Sequence, residues 1–248
     1  MVGNQGDLSS DRTIYRNWTL KNNLTAFNVT VRESDIFIYA DSELTSAALD
    51  SLQRHRSAIE SYISGHPQFR HSLLPIAYDQ WAPDIVREML KSSETAGVGP
   101  MASVAGAIAE RVGIDLLHHS RNVIVENGGD IYINTLSDVV VGLFSGRSPL
   151  SGRVAIKARK EEMPLGICTS SGTIGHSLSF GISDACCVKS RSAALADAAA
   201  TAIGNFVKSA KDIPAGLNAG MKIEGVLGIV IIAGDQLGAV GDMELVRV

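Results

Sequence analysis

Apolar and polar positions change period several times along the chain, and each change marks an element. Phe27, Val29 and Val31 alternate with polar neighbours, Glu33-Ser34-Asp35 interrupts, and Ile36-Phe37-Ile38-Tyr39 follows. Successive strand side chains point to opposite faces, so this pattern predicts two strands and a turn, an antiparallel hairpin. From Leu44 to Ile63 the apolar positions Leu49, Leu52, Ile59 and Ile63 recur at helical spacing, and Gly65-His66-Pro67 supplies a stop. Arg56 falls on that stripe, where its stem can lie along the core while the guanidinium reaches water.

Pro83 to Leu90 predicts a shorter helix with Ile85, Val86, Met89 and Leu90 inward, ending before the turn-forming run Glu94 to Pro100. Pro100 suits the first turn of the next helix, Met101 to Val112, which Gly113 closes. That helix is dominated by small residues (Ala102, Ser103, Ala105, Gly106, Ala107, Ala109), so its backbone can approach a neighbour or a ligand closely. The second half carries β-branched or alternating runs at 122–126, 131–134, 139–144, 153–158, 185–189 and 224–232, with a strand-like Leu165-Gly166-Ile167. One helix stands among them: Ser192 to Lys208, with alanine at seven positions between 193 and 202. Strands, then helices, then a strand-rich half with hairpin spacing predict an α+β fold with largely antiparallel mixed sheets flanked by helices. No linker or repeat divides residues 1–248, so the expectation is a single domain.

Composition narrows the classes of partner. The 248 residues are 45% hydrophobic and 19% charged, enough for a substantial core. The formal charge is −4 and no Lys/Arg cluster is long enough to track successive phosphates, which argues against nucleic acid. Met1 to Asp7 lacks the basic and apolar regions of a secretory signal, and runs such as Val226 to Ala233 are far short of a membrane span. A cytoplasmic location without membrane segments is the expectation. Of the three cysteines, Cys186 and Cys187 are adjacent, which suits buried thiols on opposite faces of a strand better than a disulfide or a metal cluster.

Three segments carry candidate chemistry. Asn127-Gly128-Gly129-Asp130 lies between two strand-like runs; its glycines permit positive φ and can present backbone N–H groups to a bound group, although a plain hairpin turn has the same composition. Thr169-Ser170-Ser171-Gly172-Thr173-Ile174-Gly175-His176-Ser177 follows a strand-like run, and its hydroxyls and glycines suit a concave nest of donors for phosphate oxygens. His176 is expected to face the same pocket, where it binds phosphate; an ordinary polar loop is the alternative. The segment lacks the Lys of a P-loop and the Gly-x-Ser-x-Gly of a hydrolase elbow. Asp197 and Thr201, four residues apart, share one face of the alanine-rich helix. A carboxylate among alanines must be solvated, hydrogen-bonded or bound to a cation, and oxygen ligands favour a hard ion such as Mg²⁺.

In this order the three segments resemble the FAD:protein FMN transferase (ApbE-like) superfamily. With Val98-Gly99-Pro100-Met101-Ala102-Ser103-Val104-Ala105-Gly106 added, nearly the whole chain resembles a cytoplasmic branch of it. The resemblance implies Mg²⁺ held by Asp197, Thr201 and the backbone carbonyl of Ala102. It implies FAD as ligand or substrate, its pyrophosphate cleaved and FMN passed to a threonine hydroxyl of an acceptor protein, or FAD simply hydrolysed. Asn127, Gly128, Gly129, Asp130, Thr169, Ser170, Ser171, Gly172 and His176 are the expected cofactor-binding residues; no catalytic residue is nominated. Ala105 stands where the family carries lysine, so the alternative is a noncatalytic binding protein for a flavin or another phosphorylated small molecule.

Overall fold

The structure, a computed structural model, describes residues 24–146, 148–171 and 183–248. The opening hairpin forms as its alternation predicts: β1 (Thr25–Val31) and β2 (Ser34–Ala40) pair antiparallel with Val31 opposite Ser34. There follow α1 (Thr45–Gly65), α2 (Asp84–Ala96), α3 (Val104–Leu116), β3 (Val123–Asn127), β4 (Asp130–Asn134), β5 (Val139–Gly142), β6 (Val154–Ala158), β7 (Leu165–Ser170) and β8 (Ala185–Ser190). The chain continues through α4 (Ala193–Phe206), α5 (Ile213–Gly220), β9 (Val226–Ala233), β10 (Gln236–Gly241) and β11 (Glu244–Arg247).

Eight strands form one sheet in the order β1-β2-β3-β4-β7-β8-β9-β10, three form another in the order β11-β6-β5, and each pairing is antiparallel. The α+β expectation therefore holds. The strict two-residue alternation of strand side chains explains how this becomes three layers. Val125, Tyr132, Cys168, Cys186 and Ile231 face the helices. Their chain neighbours Ile124, Ile131, Ile167, Cys187 and Val230 face the small sheet. A strand buried on both faces must be apolar at every position, which is why β3, β8 and β9 read as continuous hydrophobic runs. The cysteines behave as expected: Cys168, Cys186 and Cys187 are buried free thiols, the last two in different cores. No helix among the described residues is long and apolar enough to cross a membrane.

Three helix boundaries differ from the periodicity. α2 continues six residues past Leu90, because Lys91 to Ala96 contains no breaker; it stops at Gly97, whose φ of 72° lets Val98 N–H reach back to the Ser93 carbonyl. The predicted start at Met101 is a 3₁₀ turn, Pro100–Ser103, and the α-helix begins only at Val104. Gly113 does not close α3 but lies inside it, where a Cβ would run into the Tyr132 ring. The sequence reading passed over α5, β10 and β11. α5 contains Pro214, Gly216, Asn218 and Gly220, and β10 is glycine-rich and largely exposed, so neither shows a clear hydrophobic period.

Candidate functional site

The site grows from one turn. Gly128 and Gly129 have φ of 67° and 107°, the positive pair that a two-residue hairpin loop requires, and Asn127 lies opposite Asp130 across it. Gly129 N–H donates to Glu126 Oε1 at 3.0 Å, so this amide serves the hairpin itself. The Gly129 amide is therefore engaged within the turn and is not presented to a bound group. Asn127 Nδ2 donates to the Ala105 carbonyl at 3.1 Å and ties the hairpin to the start of α3.

Strand parity then turns Asp130 toward the helices, on the face of its cross-strand partner Cys168. Asp130 is only 8% exposed, and its Oδ1 has no hydrogen-bond partner among the described residues. Asp197 faces it from α4. Gly106 N–H lies in the first turn of α3, where a helix supplies no acceptor of its own, and it donates to Asp197 Oδ2 at 2.9 Å. Only glycine permits this approach: a Cβ at Gly106 would lie 2.8 Å from Asp197 Cβ and against the Ala193 carbonyl.

Burial pushes the Asp197 carboxyl up to about 7, against the opposing effect of the Gly106 and Ala105 amides. Asp197 keeps a partial opening to solvent, yet desolvation still dominates. Asp130 is raised well above the usual carboxylate range, first by burial and then by the charge of Asp197, while contacts from Cys168 and the Thr169 backbone oppose the shift. Two facing carboxyls in a desolvated place do not both ionise readily. A cation between them, or a shared proton, relieves the conflict.

The Thr169 segment differs from its expectation. Thr169 and Ser170 are the last residues of β7, paired with Cys187 and Cys186, so their backbone groups belong to a ladder and not to a loop nest. Their side chains take opposite faces. Thr169 bonds to Cys187, on the small-sheet side, whereas the buried Ser170 faces Gly204 of α4 with no hydrogen-bond partner for its Oγ among the described residues. Ser170 therefore shares the helix-side face with Asp130, and Thr169 does not. Ser171 follows the strand; Gly172 and His176 lie outside the described residues.

Thr201 follows Asp197 by one turn on α4 and is half-buried, and Ala102 lies in the 3₁₀ turn that packs against the same helix. The structure thus gathers Asn127, Asp130, Ser170, Asp197 and the start of α3 around one face of α4. Sequence reasoning missed the roles of Gly106 and Ala105 and the confrontation of Asp130 with Asp197. The stretch of small residues in α3 was the available signal, because it marks a close backbone approach without naming the partner.

A profile of the family described as AbpE bacteria (AbpE_bact) matches residues 16–230. The UPF0280 protein of Methanococcus aeolicus is 41% identical over 219 residues, spanning 86% of this chain and 88% of that protein. A UPF0280 protein of Methanocaldococcus jannaschii is 39% identical over 226 residues, spanning 88% and 92%. Among solved structures, the flavin transferase ApbE from Vibrio cholerae aligns with 88% of this chain and 96% of its own at a TM-score of 0.57 and 11% identity. The apo form of Pseudomonas stutzeri flavinyl transferase ApbE aligns with 88% and 94% at 0.55 and 14%. At those identities the likeness is one of fold.

Proposed function

The chain belongs to the AbpE bacteria family, and from that premise we propose that it processes a flavin pyrophosphate nucleotide with Mg²⁺, by FMN transfer to an acceptor protein or by FAD hydrolysis. The observation that carries the reading is the pairing of buried Asp130 with half-buried Asp197, with Asp130 Oδ1 unpartnered among the described residues and both carboxyls raised. This donor set fits a hard divalent cation, because carboxylates that repel each other in a desolvated place gain most from one. Asp197 and Thr201 would hold it, with the Ala102 carbonyl from the 3₁₀ turn that packs against the same helix. Mg²⁺ supplies neutralisation of phosphate oxygens during pyrophosphate cleavage.

The remaining work falls to the chain's own groups. The Gly106 amide fixes the Asp197 carboxylate, and Asn127 locks the hairpin to α3, so the pair keeps its geometry before any ligand arrives. Without a cation, at least one of the two carboxyls holds a proton at neutral pH. In this reading Asn127, Gly128, Gly129, Asp130 and Ser170 border the place assigned to the phosphates; Ser171 belongs to the same binding set, as do Gly172 and His176, which lie outside the described residues. A cytoplasmic location and an acceptor hydroxyl on another protein belong to the same proposal.

The test is incubation with FAD and MgCl₂, followed by chromatography for AMP. Release of AMP that is lost in Asp197→Asn supports the enzyme. Ala105, where the family carries lysine, favours a second reading, a noncatalytic flavin-binding protein. Stoichiometric FAD binding without AMP would decide for it, and absence of both would overturn the flavin assignment.

A further inference from the structure

The segment after α1 displays exposed aromatic surface. Trp81 is 86% exposed and Tyr78 54% exposed, with Leu73 and Leu74 exposed on the same stretch. Exposed apolar groups of this size, gathered in one place, mark binding surfaces more often than isolated ones do. Tyr78 and Trp81 border a cleft of about 500 Å³ whose lining also includes Tyr62, His66, Ile76 and Asp79. That volume is in the ordinary range for small-molecule sites.

The cleft is held in shape by its own bonds. Asp79 Oδ1 accepts the Trp81 backbone N–H at 2.9 Å, and Oδ2 accepts the Tyr62 hydroxyl at 3.1 Å. Arg87 donates to the Gln80 and Ala82 carbonyls and anchors the end of the loop. Tyr62 is stacked on His66, centroids 4.1 Å apart and 13° between planes, with the Phe69 ring set edgewise to it. One face of Tyr62 is therefore taken, while Tyr78 and Trp81 remain available. Asp79 is the only carboxylate of the lining, and among the described residues no Lys or Arg pairs with it. Its hydrogen bonds orient its charge without cancelling it.

A fixed, unpaired carboxylate beside open aromatic faces has a specific chemical complement. Anions are repelled, and neutral apolar groups leave the charge unanswered. A cation with an apolar surface satisfies both the ring quadrupoles and the carboxylate. We propose that this cleft binds a small organic cation of the alkylammonium class, quaternary or primary. The site is built without Asp130, Asp197 or the β3–β4 turn and stands independently of the flavin reading.

Trp81 reports on its own cleft. The full chain contains Trp18 and Trp81, so the Trp18→Phe variant isolates the Trp81 fluorescence. Choline chloride is titrated against its uncharged carbon analogue 3,3-dimethylbutan-1-ol, with sodium chloride holding ionic strength constant. The expected result is saturable quenching by choline, at least tenfold weaker with the alcohol, weakened about tenfold in Asp79→Asn, and retained in Tyr62→Phe, which loses a hydrogen bond but keeps the charge. Line broadening of the choline methyl signal, present with the wild-type chain and lost with Trp81→Ala, gives the same answer without relying on Trp18→Phe. Equal binding of the alcohol would make the surface a general apolar one and overturn the proposal. So would a response that never saturates or that Asp79→Asn leaves unchanged.

Discussion

Asp197 is held between a backbone amide that favours its charge and a burial that opposes it, and the balance falls near neutral pH. Both Asp197 and Asp130 titrate above the ordinary value of 3.8 when folded, so the native chain keeps protons that the unfolded chain releases. The contribution of Asp197 to stability is complete below about pH 4 and is lost as the pH rises through about 7, on the order of a few kcal/mol, and Asp130 acts in the same direction. Thermal melts at pH 5 and pH 8 without metal should therefore show the wild type losing stability relative to Asp197→Asn as pH rises. MgCl₂ at pH 8 should restore the wild type and leave the variant unchanged; a pH-independent gap would remove the carboxyl pair from this account. Titration calorimetry with Mg²⁺ and FAD should find binding abolished in Asp197→Asn and only weakened in Thr201→Val. The four-residue spacing of Asp197 and Thr201 is a helical fact that one sequence displays. That Asp130 faces Asp197 depends on strand parity and on which helix crosses which strand, neither of which a local pattern contains.

At the scale of elements, the same site depends on how closely α3 and α4 approach. Gly106 meets the Ala193 carbonyl and Asp197 Cβ, and Gly166 of β7 meets the Ala193 backbone, so α4 is seated by two glycines on different elements. Gly106→Ala should force the helices apart, costing roughly 1–3 kcal/mol in chemical denaturation, and should also remove Mg²⁺ dependence by taking the amide from Asp197. Loss of stability with metal response intact would show that the amide is not what orients the carboxylate. Long periodic segments such as α1 and the apolar runs of β3, β8 and β9 were legible because hydrophobic burial imposes their pattern. The end of α2 and the start of α3 were not: the turn-forming character of Glu94 to Pro100 suggests an early stop at Leu90, whereas the helix runs on until Gly97 adopts its αL geometry, and Pro100 opens a 3₁₀ turn before the α-helix begins. β7 extends beyond its apolar run through Thr169 and Ser170 because β8 pairs with them, a tertiary cause that overrides the turn-forming character of the segment.

Across the whole molecule, the eight-stranded sheet separates two cores, and the small sheet is fastened to it by more than apolar contact. Lys189 of β8, 1% exposed, donates from Nζ to Glu162 Oε1 at 2.8 Å, to the Asp242 carbonyl at 3.1 Å and to Asp242 Oδ2 at 3.2 Å. Glu162 precedes β7 after β6, and Asp242 lies between β10 and β11, so one ammonium joins the large sheet to both segments that lead into the small one. Removing one partner of a buried ion pair leaves the other charged and unsolvated, at a cost of about 3–5 kcal/mol. Asp242 is mostly exposed and can rehydrate, whereas Glu162 is largely covered, so Glu162 bears most of that cost. Lys189→Ala should accordingly destabilise the chain strongly, and adding Glu162→Gln should recover part of the loss. Lys189→Met, which keeps the volume, should be milder than Lys189→Ala. The loss should also be local: hydrogen exchange should quicken in β5, β6 and β11 while the helix-side amides of α3 and α4 keep their protection. Because Lys189 lies toward the end of β8 away from the β3–β4 turn, Mg²⁺ binding at 25 °C should survive in the folded Lys189→Met variant. Uniform acceleration of exchange through both cores would mean that the two layers unfold as one unit, and that the ammonium is a general stabiliser and not the fastening of one sheet.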